Sequence, residues 1–314
     1  MPIRPHDEYA CLNEGKADFA AIYGAPDPRE YYRVLSGLDY IIPDLARPVF
    51  RALDDALARK RGRAAKIVDL GCSYGVNAAL LRLPLDLQRL AKRYSTPELQ
   101  TISTEELVRL DRHYFLGWPA RSQATVIGID VSAPAVRYAR DVGLIDHAIV
   151  ADLERDALAI EDEALLVDAD LVISTGCVGY VTARSFERLL EAATAEKAWI
   201  ASFVLRMFDY DGIAAALDRF GLVTEKLEGV TFVQRRFNSE TELSATLEAL
   251  ARRGIDPAGK ESEGLLHAEL YVSRPPEDVI ETPLGRLLSV TSGASRPFGR
   301  RFNVVEGGGV TLVR

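Results

Sequence analysis

The chain of 314 residues is poor in cysteine, methionine and tryptophan, with three, two and two, and it carries only four histidines. Cys11, Cys72 and Cys177 are an odd, scattered set without CxxC spacing. Neither a disulfide framework nor a cysteine zinc site is expected from them, and no metal-ligand set is read elsewhere. No apolar run approaches the roughly 20 residues of a membrane helix. The opening MPIRPHDEYACLNEG has no apolar signal core, so a cytoplasmic protein without a membrane partner is expected. Excess positive charge is also lacking. With 38 Lys+Arg against 46 Asp+Glu the formal charge is −8, which gives no electrostatic footprint for nucleic acid. What is present is core: 48% hydrophobic residues exclude wholesale disorder and suffice for one large domain with additions, or two.

Residues 1–64 read as helical. Asp27-Pro28-Arg29-Glu30 combines an N-cap acid, a proline at the first helical position and a glutamate three residues after the cap. Tyr31, Tyr32, Leu35 and Leu38 follow at helical spacing. A second helix starts near Pro43-Asp44 and runs through Val49, Phe50, Leu53 and Leu57. Its basic end (Arg59, Lys60, Arg61, Arg63, Lys66) reads as a solvated helix terminus.

From Lys66 the pattern changes to apolar strands at 67–70, 125–129, 147–150, 170–174 and 198–205. Helices follow around 76–83, 133–140, 182–193 and 212–220. Near-continuous apolar strands alternating with helices predict an α/β fold, a doubly wound and mostly parallel sheet covered on both faces. Two insertions interrupt the alternation. Residues 84–122 contain the capping box Ser103-Thr104-Glu105-Glu106, and residues 239–262 open on Ser239-Glu240-Thr241-Glu242. Strands at 230–237 and 268–273 flank the second insertion. The tail, 276–314, is rich in Gly, Ser, Pro and Arg and is expected to be partly flexible.

The most informative stretch is Lys66-Ile67-Val68-Asp69-Leu70-Gly71-Cys72-Ser73-Tyr74-Gly75-Val76-Asn77. A buried strand ends in an acid, a glycine turn follows, and a helix begins. Glycines let a ligand approach the backbone, and the helix start offers unpaired N–H groups. In open α/β sheets that ligand sits at the carboxyl ends of the strands. A dinucleotide fingerprint fits poorly, because Ser73 occupies the middle glycine's place. Gly71-Cys72-Ser73-Tyr74-Gly75 also matches the G-x-S-x-G nucleophile elbow of serine hydrolases, with Asp130, Asp152, Asp170 and His267 as later partners. Against that reading, the preceding 65 residues look helical and no upstream HGGG-type segment exists.

Asp69-x-Gly71-x-Ser73-x-Gly75 resembles the D/E-x-G-x-G-x-G loop of class I S-adenosylmethionine-dependent methyltransferases, and the resemblance extends over roughly 66–275. Two more strand ends support it: Asp130 with Val131 and Ser132 after the second, and Asp152 with Leu153 after the third. The resemblance implies a Rossmann-like, seven-stranded sheet with an antiparallel last strand, an N-terminal helical lid at 1–64 and the methyltransferase domain at 65–275. It implies S-adenosylmethionine as cofactor, with S-adenosylhomocysteine as product. Asp69, Gly71, Ser73 and Gly75 would shape the methionine side and Asp130 with Val131 the ribose. Asp152 with Leu153 would bind the adenine, and Ser174 would lie beside the donor. A carboxylate suits a diol, since it accepts two charge-assisted hydrogen bonds.

Methyl transfer from a sulfonium is an in-line displacement needing alignment and a dry cleft, with a base only when the acceptor must lose a proton. His113 and Tyr180 are the candidate catalytic residues. Tyr31, Tyr32, Tyr40, Thr175 and Arg206 are the candidate substrate contacts, the tyrosines offering apolar walls with polar tips. The acidic balance points to a small-molecule acceptor, and a homodimer is compatible with the sequence. A cofactor-binding accessory module without transfer activity is the alternative.

Overall fold

The computed structural model describes residues 20–288, together with the backbone of two short strands near the end of the chain. Cys11, the first part of the expected lid and most of the expected flexible tail therefore lie outside the described residues.

Among the described residues three helices come first: α1 (Ala20–Tyr23), α2 (Arg29–Gly37) and α3 (Ile42–Arg61). They lead into β1 (Lys66–Leu70) and α4 (Val76–Arg82), then α5 (Leu87–Tyr94), α6 (Pro97–Gln100) and α7 (Thr104–Leu116) of the first insertion. The alternation continues with β2 (Thr125–Asp130), α8 (Ala133–Asp141), β3 (His147–Val150), α9 (Ile160–Leu166) and β4 (Leu171–Thr175). Next come α10 (Ala183–Ala192), β5 (Trp199–Leu205), α11 (Asp211–Arg219), β6 (Val223–Lys226) and β7 (Phe232–Arg236). The chain proceeds through α12 (Glu240–Arg252), a 3-10 turn at Glu261–Glu263, β8 (Leu265–Arg274), α13 (Pro276–Glu281) and α14 (Leu284–Leu287). Strands β9 (Phe302–Val304) and β10 (Val310–Leu312) pair antiparallel.

The main sheet runs β3-β2-β1-β4-β5-β8-β6. Strands β1 to β5 are mutually parallel. β8 is antiparallel to β5, with Ile200 opposite Ser273 and Leu205 opposite Ala268. Its outer edge is shared end to end, by β7 near Leu265–Ala268 and by β6 near Tyr271–Arg274. The sheet thus has eight strands where the sequence reading has seven. The additional one, β6, is Val-Thr-Glu-Lys, too short and polar to show an apolar period. The chain order reverses between β1 and β4, so the crevice opens at their carboxyl ends.

Local chemistry explains the helices that frame this crevice. Ser103 caps α7 and Ser239 caps α12, each hydroxyl accepting the N–H of the glutamate three residues on. Asp27 works differently from the expected N-cap. The cap is Pro28, and the Asp27 carboxylate takes both the N–H and the guanidinium of Arg29. It also accepts the Thr104 hydroxyl at 2.7 Å, while Arg29 donates to the carbonyls of Leu99 and Ile102. The N-terminal helices and the 84–122 insertion are therefore stapled together.

Two apolar cores result. The larger lies between sheet and helices, where α3 buries Leu45, Val49, Phe50, Leu53 and Leu57 and sets Phe50 edge-on to Phe203. The smaller joins α2, the insertion and α8. At its centre the buried Asp111 accepts from Arg93, Tyr94 and Tyr138. The basic end of α3 is not a solvated run. Arg61 and Arg63 pair with the buried Asp170, at 3.3 and 2.6 Å, Lys66 with Asp168 and Lys60 with Asp278. No helix among the described residues is long and apolar enough to cross a membrane.

Candidate functional site

Asp69, the next-to-last residue of β1, lies beside Gly128 of β2 and is fully buried. The chain then turns on three left-handed residues: Gly71 (φ +72°), Ser73 (φ +48°) and Gly75 (φ +75°). A Cβ at Gly71 or Gly75 would sit 3.0 Å from the Cβ of Cys177 or Ala139, so backbone conformation and space both demand glycine. Ser73 tolerates the same region at a cost of about 1–2 kcal/mol. Its N–H donates to Asp130 Oδ2 at 2.9 Å, and the Ser132 N–H donates to Asp130 Oδ1 at the same distance. The β1 loop and the β2 end are thus clasped through one carboxylate. Burial pushes the Asp130 carboxyl up, opposed by these N–H donors.

Two buried polar atoms in this corner have no partner: Asp69 Oδ2 and Ser73 Oγ. The other Asp69 oxygen accepts from Asn77 Nδ2 at 3.0 Å, and burial pushes the Asp69 carboxyl up to about 7. Unsatisfied buried groups are costly, so a pair of them at a loop built for close backbone approach marks a place for a ligand's donors. Val131, directly after Asp130, leaves an apolar side chain 40% exposed. Asp152, beyond β3, directs Oδ1 to its own turn, accepting the Glu154 N–H at 3.1 Å, and Oδ2 lies 3.5 Å from Arg155.

From this corner the site extends toward β4 and the N-terminal helices. Asn77 also reaches Thr175 Oγ1 at 3.2 Å. The Tyr40 hydroxyl lies between Tyr31 and Thr175, and burial pushes its pKa up to about 12. Tyr40 is held from behind. The Ile41 N–H donates to the Gln234 carbonyl at 2.9 Å and the Arg236 N–H to the Leu38 carbonyl at 2.8 Å, so residues 38–41 run along β7. Gln234 is free for this because the β7–β8 register shifts between Val233 and Arg235. Tyr23 has its pKa pushed up above all by burial, and then by the nearby Tyr40, Tyr180 and Asp130, against Arg235. Two donors fix its segment: the Tyr74 hydroxyl to the carbonyls of Ile22 and Ala25, and the Ser132 hydroxyl to that of Tyr23.

Beyond Tyr40 opens a cavity of about 970 Å³ between α2, the start of α3, and α5. Tyr31, Tyr32, Tyr40 and Tyr94 wall it, with Asp44, Arg47, Asp86 and Lys92 among the polar residues. Tyr32 stacks on Tyr94 at 4.6 Å, and Tyr31 meets Tyr32 edge-on. That volume suits a metabolite-sized ligand.

The structure therefore brings together Asp69, Gly71, Ser73, Gly75, Asp130 and Thr175, and beside them Tyr31, Tyr32 and Tyr40. Other expected residues lie elsewhere. Arg206 is buried against Glu261 at 2.5 Å and the Asp256 carbonyl at 2.8 Å, which commits its guanidinium inside the fold rather than to a substrate. His113 is exposed on α7, on the side away from the buried Leu107, Asp111 and Phe115, and does not line the cavity. Ser174 is buried between strands and donates to Ser202, and the Leu153 side chain is in the core. Tyr180 is half-buried in the turn after β4, its N–H on the Cys177 carbonyl. The hydrolase reading loses its base: Ser73 Oγ has no hydrogen-bond partner, while the buried His267 contacts Thr231 and is held neutral, its pKa pushed down to about 3. Asp170 sits at the opposite end of the sheet, paired with Arg63. Sequence reasoning missed Tyr23, Asn77, Asp44 and Tyr94. Of these only Asn77, in the first turn of the helix after the glycine loop, had a local signal.

No protein-family model matches this sequence, and no curated protein sequence matches it. Solved structures similar to it include a TehB-like SAM-dependent methyltransferase from Corynebacterium glutamicum, at 17% identity over 70% of this chain and 86% of that one, with a TM-score of 0.34. A magnesium protoporphyrin IX methyltransferase from Synechocystis with bound SAM is 13% identical over 74% and 82%, with a TM-score of 0.35. The plantazolicin methyltransferase BpumL, in complex with a pentazolic desmethylPZN analog and SAH, is 13% identical over 86% and 99%, with a TM-score of 0.39. Independently of these distant likenesses, the sheet's own order and its antiparallel β8 give a doubly wound, Rossmann-like fold with a glycine loop at the switch point.

Proposed function

We propose that the protein is an S-adenosylmethionine-dependent methyltransferase acting on a small-molecule acceptor held in the tyrosine-walled cavity. The observation that carries this reading is the pair of unpartnered buried atoms, Asp69 Oδ2 and Ser73 Oγ, beside the Asp130 clasp. These residues fit the donor. Asp69 offers a buried acceptor to an ammonium, and Asp130 retains lone pairs on both oxygens for a ribose diol. Val131 presents an exposed apolar surface for a base, and Asp152 lies at the same edge.

S-adenosylmethionine, when bound, supplies an electrophilic methyl group on a sulfonium. The residues of this chain then have three tasks. Asp69, Ser73 and Asp130 orient the donor, the Tyr31–Tyr40 wall excludes water, and Thr175 and Tyr40 line the passage toward the acceptor cavity. Charge repulsion disfavours an anionic polymer as acceptor, and the size of the cavity suits a metabolite.

Calorimetry with S-adenosylhomocysteine tests the donor site. Two charge-assisted hydrogen bonds lost in Asp130→Ala should weaken binding about a hundredfold or more. No binding by the native chain ends the reading, and unchanged binding in the variant ends the ribose assignment. A mass-spectrometric acceptor panel then separates a transferase from an accessory module that only binds the donor.

A further inference from the structure

Asp44, in the first turn of α3, points to the kind of acceptor. It lines the cavity and is only 9% exposed. One oxygen, Oδ2, accepts the Leu87 N–H at 3.1 Å and so serves the α5 end. The other, Oδ1, is buried and accepts no hydrogen bond. Its nearest cation, Arg47, stands 3.6 Å away and gives its Nη1 to the Leu85 carbonyl. A purely structural cap needs one oxygen. A second buried oxygen that accepts no hydrogen bond, with only the Arg47 charge opposite it, is a costly feature unless something else engages it.

We propose that the cavity selects an acceptor bearing a protonated amine, which Asp44 holds while the group to be methylated is turned toward Tyr40. This rests on the methyltransferase reading for the second half of the statement only; the amine site stands on the cavity itself. Two features agree on a cation. The Asp44 Oδ1, which accepts no hydrogen bond and faces Arg47 at 3.6 Å, supplies the counter-charge. Asp86, just before α5, adds a second negative charge that acts on Asp44, with Arg47 acting in the opposite sense. The cations at the cavity are Arg47, already described, and Arg33 and Lys92, both exposed, with Arg33 paired to Glu30. An acceptor carboxylate would instead meet the Asp44 charge in a site of low dielectric.

Three probes of one size test the proposal: phenethylamine, 2-phenylethanol and 3-phenylpropionate, titrated calorimetrically into the native chain with and without S-adenosylhomocysteine. The amine should bind about tenfold or more tightly than the alcohol, and the acid should bind least. Asp44→Asn should erase the amine preference while its melting profile stays cooperative. Equal binding of amine and alcohol, tighter binding of the acid, binding of none of the three, or a preference that survives Asp44→Asn overturns it. If the variant fails to fold, the amine-to-alcohol ratio in the native chain decides alone. Loss of S-adenosylhomocysteine binding with the amine preference intact would end the donor reading and leave the amine site standing; the reverse pattern would do the opposite.

Discussion

The proposed donor edge and the proposed acceptor cavity are built in opposite ways. The edge is made by β1, β2 and their loops, where each functional atom sits on, or within a few residues of, a buried strand. Its precision comes from backbone hydrogen bonds, such as the N–H groups of Gly71 and Cys72 on the Ile129 carbonyl. The cavity is made by helices from segments up to 69 residues apart (Tyr31 to Gln100), held by side chains: the Asp27–Arg29–Thr104 staple, the Tyr32–Tyr94 stack and the Asp111 cluster. One region is fixed by the sheet and the other by polar rivets. A ligand site of the first kind tolerates change around it, whereas one of the second kind depends on a few distant pairs.

That contrast is breakable. Asp111→Ala strips a buried acid from Arg93, Tyr94 and Tyr138 and should cost about 3–5 kcal/mol. Urea unfolding should show the loss, and the acceptor cavity should fail before donor binding does. Equal weakening of both would mean that the two regions are one unit. Gly75→Val tests the other side. A left-handed β-branched residue, with its Cβ against Ala139 and Leu144, should cost about 3 kcal/mol and abolish S-adenosylhomocysteine binding.

A pH titration gives a smaller, more specific effect. Burial raises the Asp69 carboxyl to about 7 from 3.8, so its protonated form is the one folding favours. Stability from this group is full below about 4 and is lost as pH rises to about 7. Binding of an ammonium needs the ionised form. Affinity for S-adenosylhomocysteine should therefore fall as pH drops below 7, by up to about tenfold per unit, and Asp69→Asn should flatten the profile. A profile unchanged in the variant would remove Asp69 from the donor site. The smallest effect is expected of Ser73→Gly. Relieving a left-handed serine should gain up to about 1 kcal/mol in thermal unfolding and leave the Asp130 clasp in place, since the clasp uses the backbone N–H. A loss of stability would show that the Ser73 hydroxyl has a structural partner.

The same contrast explains what was legible in the sequence. Asp69, Gly71, Gly75 and Asp130 are readable because a strand, its terminal acid and its turn are contiguous, and apolar period two or a continuous apolar run locates them. Tyr31, Tyr32 and Tyr40 were read as cleft residues from their type. Asp44 and Tyr94 were not, because nothing local distinguishes a helix-start acid facing a cavity from one facing water. Arg206 has a suitable address, just past β5, but its partner Glu261 arrives from a 3-10 turn 55 residues later. Its burial is a tertiary fact. The loop at 38–41 likewise gave no sign that β7 would hold it.

That last arrangement has a consequence for selectivity. Residues 38–41 are bonded to β7, β7 to β8 and β8 to β5, so an unbroken lattice of peptide hydrogen bonds ties Tyr40 to the strands at the donor edge. Tyr40 is a fixed post rather than a swinging gate. With Asp44 in the first turn of the adjoining helix, the distance from anchor to post is set by main chain. Acceptors in a homologous series would be measured against it like rods against a gauge, and one methylene too many or too few would show in turnover more than in binding.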